Sequence, residues 1–198
     1  MDKRIWAVLS LASGLGIAGM AVTGCGSKNA TSPAPVTVTV VQVATPSCGQ
    51  QVGYVTVGAN GGNYSPGYIE AYPVTLASPV KTLDMAFYIG ATGSGNLELA
   101  VYSDNSGVPG TFQDAGVITS MVLNSWNVAP LTGVNLAAGK YWLAIDHQNT
   151  ISETYGSTQT GPNFEVAQSY GLPPLNMPVG TVYPSNHAPA ILLDTVCQ

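Results

Sequence analysis

Between Cys48 and Gln198 no apolar pattern keeps a helical period for the length of a helix; the apolar runs are short, and glycine, proline, asparagine or serine breaks each one. Residues 54–57 form one such run, and residues 68–72 form another that Pro73 closes. Leu83, Met85, Phe87 and Ile89 place apolar groups on one side of a longer strand. Leu97, Leu99 and Val101 alternate with Glu98, Ala100 and Tyr102, the pattern of a half-buried strand. Residues 117–123, 126–128, 141–146, 163–167 and 190–193 complete the series, and Val134 and Leu136 add a short piece. Asn60-Gly61-Gly62-Asn63, Asp104-Asn105-Ser106-Gly107, Pro109-Gly110 and Ala137-Ala138-Gly139-Lys140 read as turns. About ten short strands at regular spacing predict an antiparallel β-sandwich or barrel.

Residues 1–25 have a different character. Asp2-Lys3-Arg4 precede 18 residues without a charge, from Ile5 to Val22, and Val22-Thr23-Gly24-Cys25 ends the run. A charged start, an apolar middle and a small-residue boundary make a secretory signal. A cysteine placed directly after small residues resembles the lipobox of bacterial lipoproteins. That resemblance implies cleavage before Cys25 and lipid on the new N-terminal cysteine. The alternative is an uncleaved anchor, because the run is long enough to cross a bilayer. Its serines and glycines make it only mildly apolar, which favours the cleaved form. Gly14-x-Gly16-x-x-Gly19 has the spacing of a dinucleotide-binding fingerprint, but no strand precedes it and no acid follows at the required distance.

The chain therefore divides into a signal peptide at 1–24, a lipidated N-terminus and flexible tether at 25–47, and a β-sandwich domain at 48–198. Residues 26–35 are small, polar and proline-bearing, as a flexible linker requires. Residues 36–43 alternate valine and threonine before Val40-Val41 breaks the pattern. They suit an edge strand or a continued tether, and the tether is preferred.

Removal of the signal leaves three lysines, Lys28, Lys81 and Lys140, against nine acids. A nucleic-acid partner needs a basic footprint, so this balance excludes that class. It also gives no polybasic attraction to a membrane, which leaves the lipid on Cys25 as the membrane contact. Charged residues make up only 8% of the chain, a composition suited to an exported β-protein rich in turns. With Cys25 lipidated, Cys48 and Cys197 remain. A pair in an oxidising compartment predicts a disulfide between them; two free buried thiols are the alternative.

The stretch from Leu97 to Asp146 carries a second resemblance. It runs Leu99-Ala100-Val101-Tyr102-Ser103-Asp104, then Gly107-Val108-Pro109-Gly110 and Trp126, then Val134-Asn135-Leu136 and Ala138-Gly139-Lys140-Tyr141-Trp142-Leu143-Ala144. This resembles a jelly-roll β-sandwich domain of exported bacterial proteins, among them modules called choice-of-anchor or domain-of-unknown-function. The resemblance implies an all-β, antiparallel sandwich of jelly-roll type and an adhesion or structural role at the surface. It implies no particular chemical activity.

No catalytic constellation stands out. The two histidines, His147 and His187, lack a Gly-x-Ser-x-Gly elbow, and Asp146 and His147, as strand neighbours, point to opposite faces. The expectation is a protein that is not an enzyme and has no cofactor. Neither histidine nor cysteine spacing suits a transition metal. Asp104-Asn105-Ser106 offers oxygens to calcium, but Asp-Asn-Ser-Gly is also what an ordinary turn uses, and the turn is preferred. The aromatics are the best candidates for binding. Trp142 is expected in the core. Tyr64, Tyr155 and Tyr170 lie in turn-rich stretches and are expected to meet glycans or surface proteins. The expected location is the bacterial envelope, at the outer membrane or cell surface. By resemblance to lipoprotein sorting, Gly26 after Cys25 favours the outer membrane.

Overall fold

Alternation with a period of two sends successive side chains to opposite faces, so one chain lines two sheet faces at once. The computed structural model describes residues 49–155, 161–185 and 188–198, all within the compact unit Ala44–Gln198. Cys25, Cys48 and His187 lie outside the described residues. The strands are β1 (Gln51–Tyr54), β2 (Asn60–Tyr64), β3 (Tyr68–Leu76), β4 (Val80–Ile89), β5 (Leu97–Asp104), β6 (Pro109–Ile118), β7 (Ser125–Pro130), β8 (Asn135–Leu136), β9 (Gly139–His147), β10 (Ile151–Tyr155), β11 (Gly161–Ala167), β12 (Thr181–Ser185) and β13 (Ile191–Cys197). No helix occurs among the described residues. The all-β antiparallel sandwich is as expected, with 13 strands rather than about ten.

The first sheet runs β1-β13-β4-β10-β2, with β7 and β8 also paired to β4. The second runs β12-β11-β3-β9-β5-β6. Between them lies a core built from alternate residues: Met85, Phe87 and Ile89 of β4, Leu97, Leu99 and Val101 of β5, Leu143 and Ile145 of β9, and Ile191 and Leu193 of β13. Each fully buried side chain of this size contributes about 1.5–3 kcal/mol.

The expectation for β5 needs correction. Leu97 to Tyr102 are buried without interruption, so the strand is covered on both faces rather than half-buried. Residues 168–180, the connection from β11 to β12, lie across the outer face of the second sheet. There Ile69, Ala71, Ala100, Tyr102, Trp142 and Phe164 form a second apolar cluster, with Met177 of the connection packed on it. Hydrogen bonds fix this strap: Phe112 N–H to Leu175 O at 2.9 Å, Met177 N–H to Gly110 O at 2.9 Å, and the Tyr102 hydroxyl to Pro174 O at 3.0 Å. Trp142 is a core residue as expected, 1% exposed, and its indole N–H donates to Asp104 Oδ1 at 2.8 Å.

Two sequence signals were overruled by pairing partners. Pro73 does not close β3, which continues to Leu76. The β11 pairing reaches only Ala71, so at Pro73 one side of the strand has no neighbour demanding an N–H donor. Asn60-Gly61-Gly62-Asn63 is not a turn but most of β2, held extended along β10.

Asp104-Asn105-Ser106-Gly107 is the expected turn. Gly107 N–H donates to Asp104 Oδ2 at 3.1 Å, and Ser106 and Gly107 take φ of 56° and 91°, the left-handed conformation such turns need. Both Asp104 oxygens are thus engaged within the fold.

Asp114 of β6 organises the β7–β8 connection. It is 2% exposed, and it accepts hydrogen bonds from the Thr82 hydroxyl at 2.7 Å, the Thr132 hydroxyl at 2.8 Å and the Thr132 N–H at 3.1 Å. Burial alone would raise its carboxyl, but these donors outweigh burial and hold it below the usual carboxylate value.

Candidate functional site

The three tyrosines singled out from the sequence do not meet. Tyr64, the last residue of β2, is buried between the sheets, its ring 6.4 Å from Phe87 and 5.9 Å from His147. It cannot present its face to a ligand as expected, because the Gly61-Gly62 segment is a strand whose alternation turns Tyr64 inward. Its hydroxyl shares a hydrogen bond with that of Tyr72, which donates to Glu70 Oε2 at 2.9 Å. Tyr155 ends β10, half-buried and opposite Asn60. Tyr170 is half-buried in the strap; burial and then the carboxyls of Glu98 and Asp146 raise its phenol.

Two groups of buried acids flank these tyrosines. Glu70 lies on the inner face beside Tyr72 and is directly opposed to Glu165 of β11. Burial raises the Glu70 carboxyl to about 8, against the Tyr72 hydrogen bond and with help from the Glu153 and Glu165 charges. On the outer face, Glu98 and Asp146 are opposed across β5 and β9. Burial and then the Asp146 charge raise Glu98 to about 7. Gly171 N–H donates to Asp146 Oδ2 at 3.2 Å. His147 points inward while Asp146 points outward, as the alternation requires. Its Nδ1 lies 2.9 Å from Asn149 O, and burial lowers its basicity. Among the described residues no set of three histidine, cysteine or acidic side chains comes close enough to hold a metal ion.

Two open clefts of about 410 Å³ each lie on the surface. The first, between the β5–β6 turn and the strap, ties Ser103, Asp104 and Thr111 into the fold and leaves the exposed Asn105 amide unengaged. Ser103 Oγ accepts from Thr111 N–H at 3.1 Å, and the Thr111 hydroxyl donates to Asn176 Oδ1 at 3.3 Å. The second lies on the outer face of the first sheet, where β2 and β10 meet the end of β4. Gly61 and Gly90 lie along it with Asn63, Asn124 and Thr154; Asn60 borders it at the sheet edge, where the alternation of β2 puts its side chain on the face of Gly62 and Tyr64. No hydrogen bond among the described residues engages the side-chain amides of these three asparagines. The Thr154 hydroxyl is buried without a partner.

This second cleft adjoins an aromatic pair. Tyr88 of β4 and Trp126 of β7 are directly opposed, half-buried, and packed edge to face with centroids 5.8 Å apart. Gly90 and Asn124 lie just beyond the ends of β4 and β7, joined by a bond from Asn124 N–H to Gly90 O at 2.9 Å; Asn124 takes φ of 52°, so the strand alternation ends there. The sequence signal was present in Asn60-Gly61-Gly62-Asn63, but as a turn motif it gave no reason to join it to Tyr88, Asn124 and Trp126. That union depends on the pairings of β4 with β7 and of β2 with β10. No family model matches this chain, and no curated protein is similar to it.

Proposed function

We propose that this chain is an envelope-anchored, non-catalytic lipoprotein whose β-sandwich serves adhesion or structural binding at the cell surface. The observation that carries the binding role is the open cleft of about 410 Å³ where β2 and β10 meet the end of β4, bordered by the exposed, unengaged amides of Asn63 and Asn124. Loops and strand ends on a rigid β-scaffold are where binding residues usually sit. The resemblance to jelly-roll modules of exported bacterial proteins points the same way. Anchoring rests on the lipobox-like Val22-Thr23-Gly24-Cys25. Several acyl chains on one cysteine give the stable attachment that a single chain does not. Gly26 favours the outer membrane, by resemblance to lipoprotein sorting.

Cell fractionation tests the anchor. The Cys25→Ser variant is expected to leave the membrane fraction and to change its migration; retention in the membrane with unchanged migration refutes lipidation.

A Cys48–Cys197 bridge belongs to the same reading. Its support is the register of β1 against β13, in which Gln51 opposes Asp194 and Thr195 N–H donates to Gln50 O at 3.2 Å. Gln50 and Thr195 each stand two positions from one of the two cysteines. Non-reducing peptide mapping is expected to recover the two peptides linked. Two alkylatable thiols in protein purified from the envelope sink the bridge.

A further inference from the structure

We infer that the strap, residues 168–180, is a membrane-contact surface, whose exposed aliphatic side chains enter the interface of the bilayer that holds the lipid anchor. This rests on the reading of Cys25 as lipidated and names the face that the anchored domain turns toward the membrane. Four observations support it.

The first is exposure. Leu172, Leu175 and Val179 are 88%, 75% and 100% exposed and fall within one short stretch, residues 172–179. Single apolar side chains on a surface are ordinary, but a cluster this accessible marks a contact with a partner or a membrane. The strap packs Met177 onto the apolar cluster of the second sheet, so its side chains that do not reach the sheet face away from it. None of the three lines either open cleft.

The second is the backbone. A segment that enters a bilayer must leave few polar groups without partners. Pro173, Pro174 and Pro178 have no N–H to satisfy. Met177 N–H donates to Gly110 O at 2.9 Å, Pro174 O accepts from the Tyr102 hydroxyl at 3.0 Å, and Leu175 O accepts from Phe112 N–H at 2.9 Å.

The third is charge. Residues 166–193 contain no Asp, Glu, Lys or Arg. The carboxyls beneath and beside the strap are withdrawn: Glu98 and Asp146 are 6% and 5% exposed, and both Asp104 oxygens are bonded within the fold. Asp84 and Asp194 are opposed on the outer face of the first sheet, because each adjoins a core residue, Met85 or Leu193. The acidic pair and the strap thus lie on opposite faces of the sandwich. Among the described residues, no exposed acid stands on the strap side to repel lipid phosphates.

The fourth is reach. Residues 25–47 separate Cys25 from the domain, and a flexible linker of that length spans about 25–30 Å on average. Tethering makes the bilayer a partner of high effective concentration, so a modest interfacial attraction is enough.

The test uses the full-length lipoprotein reconstituted in phosphatidylcholine vesicles whose acyl chains carry bromine, a quencher of tryptophan. Leu175→Trp and, separately, Leu172→Trp report on the strap. Val128→Trp, at a position 53% exposed on the outer face of the first sheet, is the control. The wild type supplies the background of the native tryptophans. Thermal unfolding of each variant is recorded beside fluorescence, so that loss of fold is distinguished from loss of contact. The strap tryptophans are expected to sit about 5–10 Å into the boundary of headgroups and acyl chains, to emit further to the blue and to be quenched. Val128→Trp is expected to do neither. Adding Leu172→Ser and Val179→Ser to Leu175→Trp is expected to weaken the quenching with unfolding unchanged. Strap tryptophans quenched no more than Val128→Trp overturn the membrane contact, as does quenching that the two serines leave intact. A blue shift without quenching means that a second copy covers the strap, and the membrane contact is wrong.

Flotation of the same vesicles reads the anchor separately. If the protein floats and its strap is not quenched, anchoring stands and the strap's contact is wrong. If the protein does not float, anchoring is refuted and the membrane contact falls with it.

Discussion

Asp114→Ala is expected to destabilise the domain by about 2–4 kcal/mol, the cost of losing a charged acceptor and orphaning the buried Thr82 hydroxyl. The carboxylate joins three elements at once. Thr82 comes from β4, Asp114 from β6 and Thr132 from the β7–β8 connection, and the Val134 N–H closes the arrangement on Thr82 Oγ1 at 2.8 Å. Alanine leaves the buried Thr82 hydroxyl without an acceptor, which costs about 1–3 kcal/mol, while the exposed Thr132 turns to water. Asp114→Asn is expected to fall between, because one amide oxygen replaces two carboxylate oxygens and adds donors that find no acceptor. Denaturant unfolding measures both. A loss for alanine below about 1 kcal/mol shows that the connection holds itself in place. The lowered carboxyl also has an acid consequence. Its stabilisation is present above the unfolded value of 3.8 and disappears as pH falls through the folded one.

The second large effect is a loss of stability between pH 6.5 and 8. Glu70 is raised from 4.5 to about 8 and Glu98 from 4.5 to about 7, so in that window the folded state holds protons that the unfolded chain has released. Stability then falls as pH rises, with a slope of about 1.4 kcal/mol per pH unit for one fully shifted group. Glu70 alone gives a decline of about 2 kcal/mol across the window. His147 acts in the opposite sense. Its lowered value makes the unfolded chain the better proton acceptor, an effect that fades as pH rises through 6.5 and is gone about one unit above, so it offsets only the lower part of the window. Glu70→Gln is expected to flatten the profile and to be more stable than wild type at pH 8. Gln keeps an acceptor for the Tyr72 hydroxyl at Glu70's position. Unfolding at several pH values reads this directly; a flat wild-type profile would mean that Glu70 is already ionised at neutrality.

The layers of the fold were legible wherever a strand's own alternation decided its two faces. Met85 to Ile89 and Tyr141 to Asp146 read correctly because apolar spacing and sheet period coincide in them; Leu83 was misplaced, since the pairing with β13 skips it between Thr82 and Asp84 and leaves it 51% exposed. The rest depended on partners distant in sequence. Nothing local to Pro73 tells that β11 stops at Ala71 and leaves room for a residue without an N–H. Nothing local to Asn60-Gly61-Gly62-Asn63 tells that β10, some 90 residues later, will hold it extended. Residues 168–180, rich in glycine and proline, read as a loop, and a loop it is. Its role as the cover of Tyr102 and Trp142 is invisible without the sheet beneath it. The candidate site shows the same division. Tyr64 was misplaced by the misread turn, and the cleft residues are neighbours only through strand pairing.

The strap has a consequence for the behaviour of the protein in a crowded, protease-rich setting. By bonding to Gly110 and Phe112 it adds one more rung to the open side of β6, and that side no longer offers a template to a second chain. The same segment carries Leu172, Leu175 and Val179 at 88%, 75% and 100% exposure, among the most accessible apolar side chains described. A single cut there would free an unpaired edge and an apolar sheet face together. Damage at this surface therefore makes the module sticky long before the inner core is touched.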